Sequence, residues 1–236
     1  MPDLSKWMIV EYIESTPHFG DDGESHHETI IAHVPEYVVR QVPLYESKLD
    51  VELAKPGHNE NDLITIEDDH THDKLVYNHA MQFFASGLLP QLEGSGPTCK
   101  KALNVLTLLY GFSFQMSARK LEMAVTKHID DFKDLTLLVF LEFARNYYKT
   151  HYAAEDDRDG EKDRLALLIK KKLAKFLPQI IEFKMVQEIQ KDGKLGQQLV
   201  DVLADFYSGN KVVVKQEVVE ISDDEQKPLK QEPRED

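Results

Sequence analysis

Leu63-Ile64-Thr65-Ile66-Glu67-Asp68-Asp69-His70-Thr71-His72-Asp73-Lys74-Leu75-Val76-Tyr77-Asn78-His79-Ala80-Met81-Gln82-Phe83-Phe84-Ala85-Ser86-Gly87 changes its hydrophobic period part-way along, and that change sets the fold class. Leu63 to Ile66 is a short apolar, β-branched run with polar residues on both sides, which predicts a strand. From Asp73 onward Leu75, Val76, His79, Ala80, Phe83 and Phe84 recur at helical spacing, and Gly87 suits the left-handed cap that ends such a helix. The six residues between, Asp68 to Asp73, read as a solvated turn that caps the helix. They have the residue types of a metal site but no second ligand cluster, so no metal is expected there or at His26-His27. A strand leading straight into a helix points to an α+β fold.

On the N-terminal side, Met8 to Ile13 predicts a strand and Gly20-Asp21-Asp22-Gly23 a turn. Thr29 to His33 predicts another strand, and Val34-Pro35-Glu36-Tyr37 a helix start with Pro35 near its first position. On the C-terminal side, the loop Glu93-Gly94-Ser95-Gly96-Pro97 opens a wholly helical region. Ala102 to Tyr110, Ser117 to Ile129 and Leu135 to Tyr148 predict three helices, the third central to the core. After a solvated connection at Asp156 to Gly160, Leu165, Leu168, Ile169, Leu173, Phe176 and Leu177 form a 3.6-period stripe. Leu195, Leu199, Val202, Leu203, Phe206 and Tyr207 form another, ending at Ser208-Gly209.

A chain of 236 residues can bury a sizeable core, and 42% hydrophobic with 30% charged residues is the make-up of a folded protein. The net charge of -14 argues against a nucleic-acid-binding body, because phosphate contacts need a basic footprint. Cys99, the single cysteine, excludes an internal disulfide or a multi-cysteine zinc site and fits a reducing compartment. The N-terminus lacks the basic and apolar regions of a secretory signal, and no apolar run is long enough to span a bilayer. Neither membrane nor nucleic acid is an expected partner.

The order of these elements resembles the fungal BTB/POZ domain-containing proteins. His33-Val34-Pro35-Glu36-Tyr37-Val38-Val39 matches a strand, histidine and helix of that family. Leu63 to Asp69 and Phe83-Phe84-Ala85-Ser86-Gly87 resemble its strand, acidic turn and helix ending in an aromatic-rich turn, and Ala102 to Tyr110 resembles a further helix. The helices from Leu121 to Tyr207 are similar to the family's C-terminal extension. The resemblance implies a BTB/POZ-like domain over residues 8–110 and an all-helical extension over 111–209. It further implies a protein-protein interaction module, with a second copy of the chain or a cullin-type ubiquitin ligase among its partners.

Residues 210–236 carry five bases and eight acids, no aromatic residue, and prolines at 228 and 233. This composition predicts a flexible acidic tail. Val214-Lys215-Gln216-Glu217 and Leu229-Lys230-Gln231-Glu232 both resemble SUMO acceptor sites, with Lys215 and Lys230 as the modified lysines. No lysine before Lys211 fits that apolar-Lys-x-Glu pattern. Val218-Val219-Glu220-Ile221-Ser222-Asp223-Asp224-Glu225 resembles a SUMO-interacting motif. Val218, Val219 and Ile221 would enter an apolar groove by strand addition while Asp223, Asp224 and Glu225 face basic groups. Ser222, followed by acids, suits an acid-directed kinase. The other reading of Val212 to Ile221 is an ordered strand packed on the body or paired with a second chain.

No phosphate-binding glycine loop, nucleophile elbow, dinucleotide fingerprint or H-E-x-x-H occurs, so no enzyme and no cofactor is expected. Lys170-Lys171-Lys172 reads as the wet face of an amphipathic helix rather than an import signal. The expected function is a non-enzymatic interaction protein coupled to SUMO, in the nucleus with the cytoplasm as a second compartment. The alternatives are a cullin substrate adaptor or a dimeric scaffold with an incidental tail.

Overall fold

The computed structural model describes residues 6–14, 18–19, 25–57, 63–89, 97–132, 135–151 and 163–208. The turn at Gly20 to Gly23, the loop residues Glu93 to Gly96, the connection at Asp156 to Gly160 and the whole of 210–236 lie outside them.

The described chain is mixed α+β and mostly helical, around a small three-stranded sheet. Strand β1 (Trp7–Glu14) is central, β2 (His18–Phe19) and β3 (Ser25–His26) pair only with each other, and β4 (Thr29–Pro35) runs antiparallel to β1. Helices α1 (Glu36–Val39) and α2 (Pro43–Leu53) then carry the chain across to β5 (Thr65–His72), which runs parallel to β1. A parallel neighbour needs such a crossover, because no tight turn can return the chain to the same end of the sheet.

One face of the sheet is apolar because β1 alternates. Met8, Val10 and Tyr12 are buried, joined by Val34 of β4 and Ile66 of β5. Helix α3 (Lys74–Ser86) forms where its caps predict. The Asp73 carboxylate accepts from the Leu75 and Val76 amides at 2.9 and 3.1 Å, and Gly87 takes φ 72° as the C-cap. Val76, Ala80, Phe83 and Phe84 of the predicted stripe are buried, but Leu75 is exposed and Tyr77 is buried in its place.

Helices α4 (Pro97–Gln115), α5 (Arg119–Asp130), α6 (Leu137–His151), α7 (Arg164–Glu182), α8 (Val186–Ile189) and α9 (Lys194–Tyr207) follow. The first is roughly twice the length expected from Ala102 to Tyr110, and it packs on α3, α5 and α6. One buried cluster extends from Met8 on β1 to Val202 on α9. The α7 stripe is buried at Leu165, Leu168, Ile169, Leu173 and Leu177. At the end of α9 the expected stripe fails, since Phe206 and Tyr207 are exposed on the last turn. No described helix is long and apolar enough to cross a membrane.

Helix α9 meets α8 at a glycine for a definite reason. A Cβ on Gly196 would stand 2.6 Å from the Gln190 carbonyl oxygen and 2.9 Å from that of Ile189, both backbone atoms. Replacing a helical glycine by alanine ordinarily stabilises a helix by up to about 1 kcal/mol. Here Gly196→Ala is expected to reverse that sign and cost about 2–3 kcal/mol, because backbone cannot yield as a side chain can. Thermal unfolding of the variant decides it: an unchanged or raised midpoint would rule the close approach out.

Candidate functional site

The acidic stretch after Ile66 is strand, not turn. Backbone pairing with β1 continues through it, in the register Ile9↔Thr65, Val10↔Ile66, Glu11↔Glu67 and Tyr12↔Asp68. The ladder then skips two residues and resumes at Ile13↔Thr71 and Glu14↔His72. Asp69 and His70 form a bulge, while Asp68 and His72 both keep the core face, 3% exposed each. The expectation of a solvated loop fails because pairing with β1 and mutual hydrogen bonding satisfy groups that composition alone assigns to water.

Three side chains from this one strand converge. His70 Nδ1 stands 2.8 Å from Asp68 Oδ1, and His72 Nε2 stands 2.8 Å from Asp68 Oδ2. The His70 amide donates to Asp68 Oδ1 at 3.0 Å, and the Tyr45 hydroxyl of α2 donates to Asp68 Oδ2. Burial by itself would raise the Asp68 carboxyl, but the hydrogen bonds from His72 and Tyr45 outweigh it and hold the group well below the usual carboxylate range. Asp68 is therefore an anion. Each imidazole nitrogen facing it carries the proton, since an ionised carboxylate only accepts.

Aromatic rings close the inner side. Tyr12 stacks on Tyr77 with ring centroids 4.2 Å apart, and Phe112 of α4 packs against His72 at 4.8 Å. Tyr12 is pushed up to about 12 by burial and then by the charges of Glu14 and Asp73. Tyr45 and Tyr77 are raised further, first by burial and then by their anionic and phenolic neighbours. All three phenols stay protonated at any physiological pH. The Tyr77 hydroxyl is buried without a hydrogen bond of normal geometry. On the outer side the His70 side chain is 37% exposed, which leaves an approach from solvent.

The other sequence candidates fare differently. Lys215, Lys230, Val218, Val219, Ile221, Ser222, Asp223, Asp224 and Glu225 lie outside the described residues. His27 Nδ1 stands 2.9 Å from the Glu14 carbonyl oxygen, so that ring is tied to the end of β1. Cys99 is buried, and its neighbour Lys100 pairs with Glu142 of α6. Lys170-Lys171-Lys172 is not a freely solvated face. Lys170 meets Asp205 of α9 at 3.6 Å and Lys171 meets Asp130 at 2.7 Å. Lys172 is buried, donating to the Asp130 backbone carbonyl at 2.8 Å and pairing with its carboxylate at 3.3 Å. The ammonium is tolerated there because α5 ends at Asp130 and presents it with a backbone carbonyl and a carboxylate together.

No local pattern in the sequence joins Tyr45, Asp68 and Tyr77. A signal for Asp68 alone was present: Ile64, Ile66, Asp68, His70 and His72 keep one parity, so the alternation of the apolar strand runs on into D-x-H-x-H. Comparison with family models, with curated proteins and with solved structures finds no match to the chain.

Proposed function

We propose that this chain is a non-enzymatic protein-protein interaction module with a BTB/POZ-like body, coupled to SUMO through residues 210–236. The observation that carries the body's reading is the order of elements. Strand β4 ends in His33-Val34-Pro35 and passes at once into α1, and β5 leads into α3, which ends at Phe83-Phe84-Ala85-Ser86-Gly87. That is the order the resemblance implies, apart from its acidic turn, which here is part of β5. The tail's reading rests on its sequence: two acceptor patterns flanking an apolar run backed by acids.

In this reading Lys215 and Lys230 accept the modifier. Val218, Val219 and Ile221 add a strand to a sheet edge of SUMO, with Asp223, Asp224 and Glu225 meeting basic groups. A short strand of this kind binds in the micromolar range, about -8 kcal/mol, and becomes useful when the body docks on the same assembly. Replacing Val218, Val219 and Ile221 together by alanine is expected to weaken SUMO capture by the full chain about tenfold or more, since each valine or isoleucine loses a buried apolar contact. Unchanged capture ends the binding reading. Conjugation is scored separately: Lys215→Arg with Lys230→Arg removes the acceptors while leaving non-covalent capture in place.

A further inference from the structure

We propose that Asp68, His70 and His72 form a binding site for a divalent transition ion of the zinc, cobalt or nickel class. This inference rests on the described body and is independent of the tail. One ligand atom from each of the three residues lies within 4.8 Å of the others. Two imidazoles and one carboxylate are the donor set that suits these ions, whereas calcium and magnesium take oxygen donors.

Three features of the surroundings point to a ligand rather than to a self-contained hydrogen-bond cluster. The first is the bulge. Within the β1–β5 register it is the one shift, and it leaves Asp69 and His70 without partners on β1. It is also what sets His70 Nδ1 on Asp68 while Asp68 and His72 keep the core face, and bulges of this kind commonly re-aim a side chain at a site. The second is the outer support. Tyr45 donates to the Asp68 carboxylate from α2, the type of second contact that orients a ligating carboxylate. The third is access. His70 reaches solvent while His72 and Asp68 do not, so an ion would enter from one side and keep an open position there.

The donors do not yet stand at tetrahedral spacing, and the widest separation among them, up to 4.8 Å, closes by as much as about 1.5 Å when an ion binds. Donor atoms about 2.0–2.1 Å from a tetrahedral ion stand about 3.3 Å from one another. The two nitrogen-oxygen pairs now at 2.8 Å would open by about half an ångström. For the ion to bind, the proton on each imidazole nitrogen facing Asp68 moves to the other ring nitrogen, which keeps both rings neutral and frees the facing lone pairs. One anionic carboxylate and two neutral imidazoles leave the loaded site with a single positive charge, balanced by a chain whose net charge is -14.

Cobalt tests the site in the intact full-length chain, stripped with a chelator and then titrated with Co2+ alone. The expected result is one equivalent bound, the visible absorption of low-symmetry cobalt, and its loss when Zn2+ is added. His70→Ala is expected to weaken binding more than a hundredfold, beyond the ten- to hundredfold typical of an outer-shell change. His27→Ala is expected to leave it unchanged. Because His70 is partly exposed, the variant should keep its fold, which its unfolding midpoint in chelator verifies. A second readout needs no spectrum: Zn2+ should raise the unfolding midpoint of the wild-type chain and not that of His70→Ala. Absence of binding to the wild-type chain would overturn the proposal. So would binding that survives His70→Ala, or binding that only His27→Ala removes.

Discussion

Asp68→Ala is expected to destabilise the metal-free protein by about 3–5 kcal/mol, among the largest effects of any single side chain here. The carboxylate is fully buried and accepts from Tyr45, His72, His70 and the His70 amide. Its removal takes the anionic acceptor from the Tyr45 hydroxyl and the His72 ring nitrogen, with the neutral Tyr77 hydroxyl as a neighbour of Tyr45, and each donor left unsatisfied costs about 1–3 kcal/mol. A cavity at the β1–β5 bulge adds to this loss. Denaturant unfolding followed by circular dichroism reads the change as a lower midpoint at unchanged slope. For a chain of this size the thermal midpoint should fall by roughly 10 °C. Tyr45→Phe is the calibrating variant. It deletes one donor and leaves Asp68 with both imidazoles, so its cost should stay near 1–2 kcal/mol. Equal costs for the two variants would show that Asp68 does not hold the cluster together.

Asp163→Ala is expected to cost about 3–4 kcal/mol, by a different route. This carboxylate caps α7, accepting from the Leu165 and Ala166 amides at 2.9 and 3.0 Å. The same group accepts from the Tyr110 hydroxyl of α4 at 2.9 Å and from the Tyr147 hydroxyl of α6. Loss of a cap costs about 1 kcal/mol, and the loss of a short, charged acceptor by two buried phenols, of which Tyr110 keeps only a long contact to Glu122 at 3.5 Å, accounts for the remainder. Burial is the largest cause holding both phenols up, and it remains in the variant, so neither relieves its position by ionising. Asp163→Asn keeps an acceptor oxygen at the cap and should lose no more than about 1–2 kcal/mol. If the alanine variant unfolds no more easily than the asparagine one, Asp163 acts only as a cap and does not join three helices.

Much of the helical scaffold was legible because its signals are local. Asp73 and Gly87 bracket α3 in the sequence as they do in the structure, and the stripe Leu165, Leu168, Ile169, Leu173 and Leu177 is the buried face of α7. The strands β1 and β4 were readable from their β-branched runs to within a residue or two at each end. Helix α2 was not read, and its composition explains why. Only Tyr45 and Leu49 are buried along it, so it carries no apolar stripe to recognise.

The candidate site was the least legible part. Asp68, His70 and His72 stand out by residue type, but their polarity argues for solvent. The outcome turned on groups far along the chain: Tyr45 lies 23 residues from Asp68, and β1 supplies the backbone partners of β5. Lys172 shows the same thing in the helical part, since its acceptors on Asp130 lie 42 residues away.

By themselves, the residues in order determined both ends of α3, the buried face of α7, and that strands precede a helical region. Caps and hydrophobic periods act over a few residues, so they can be read without knowing the fold. They also placed two acceptor patterns and an acid-backed apolar run in the last 27 residues of the chain. Only the tertiary structure decided that an acidic run would be a core strand, with one carboxylate gripped by two histidines and a tyrosine. Burying a charged group is unfavourable until its partners are in place, and those partners come together only when β1, α2 and β5 have packed.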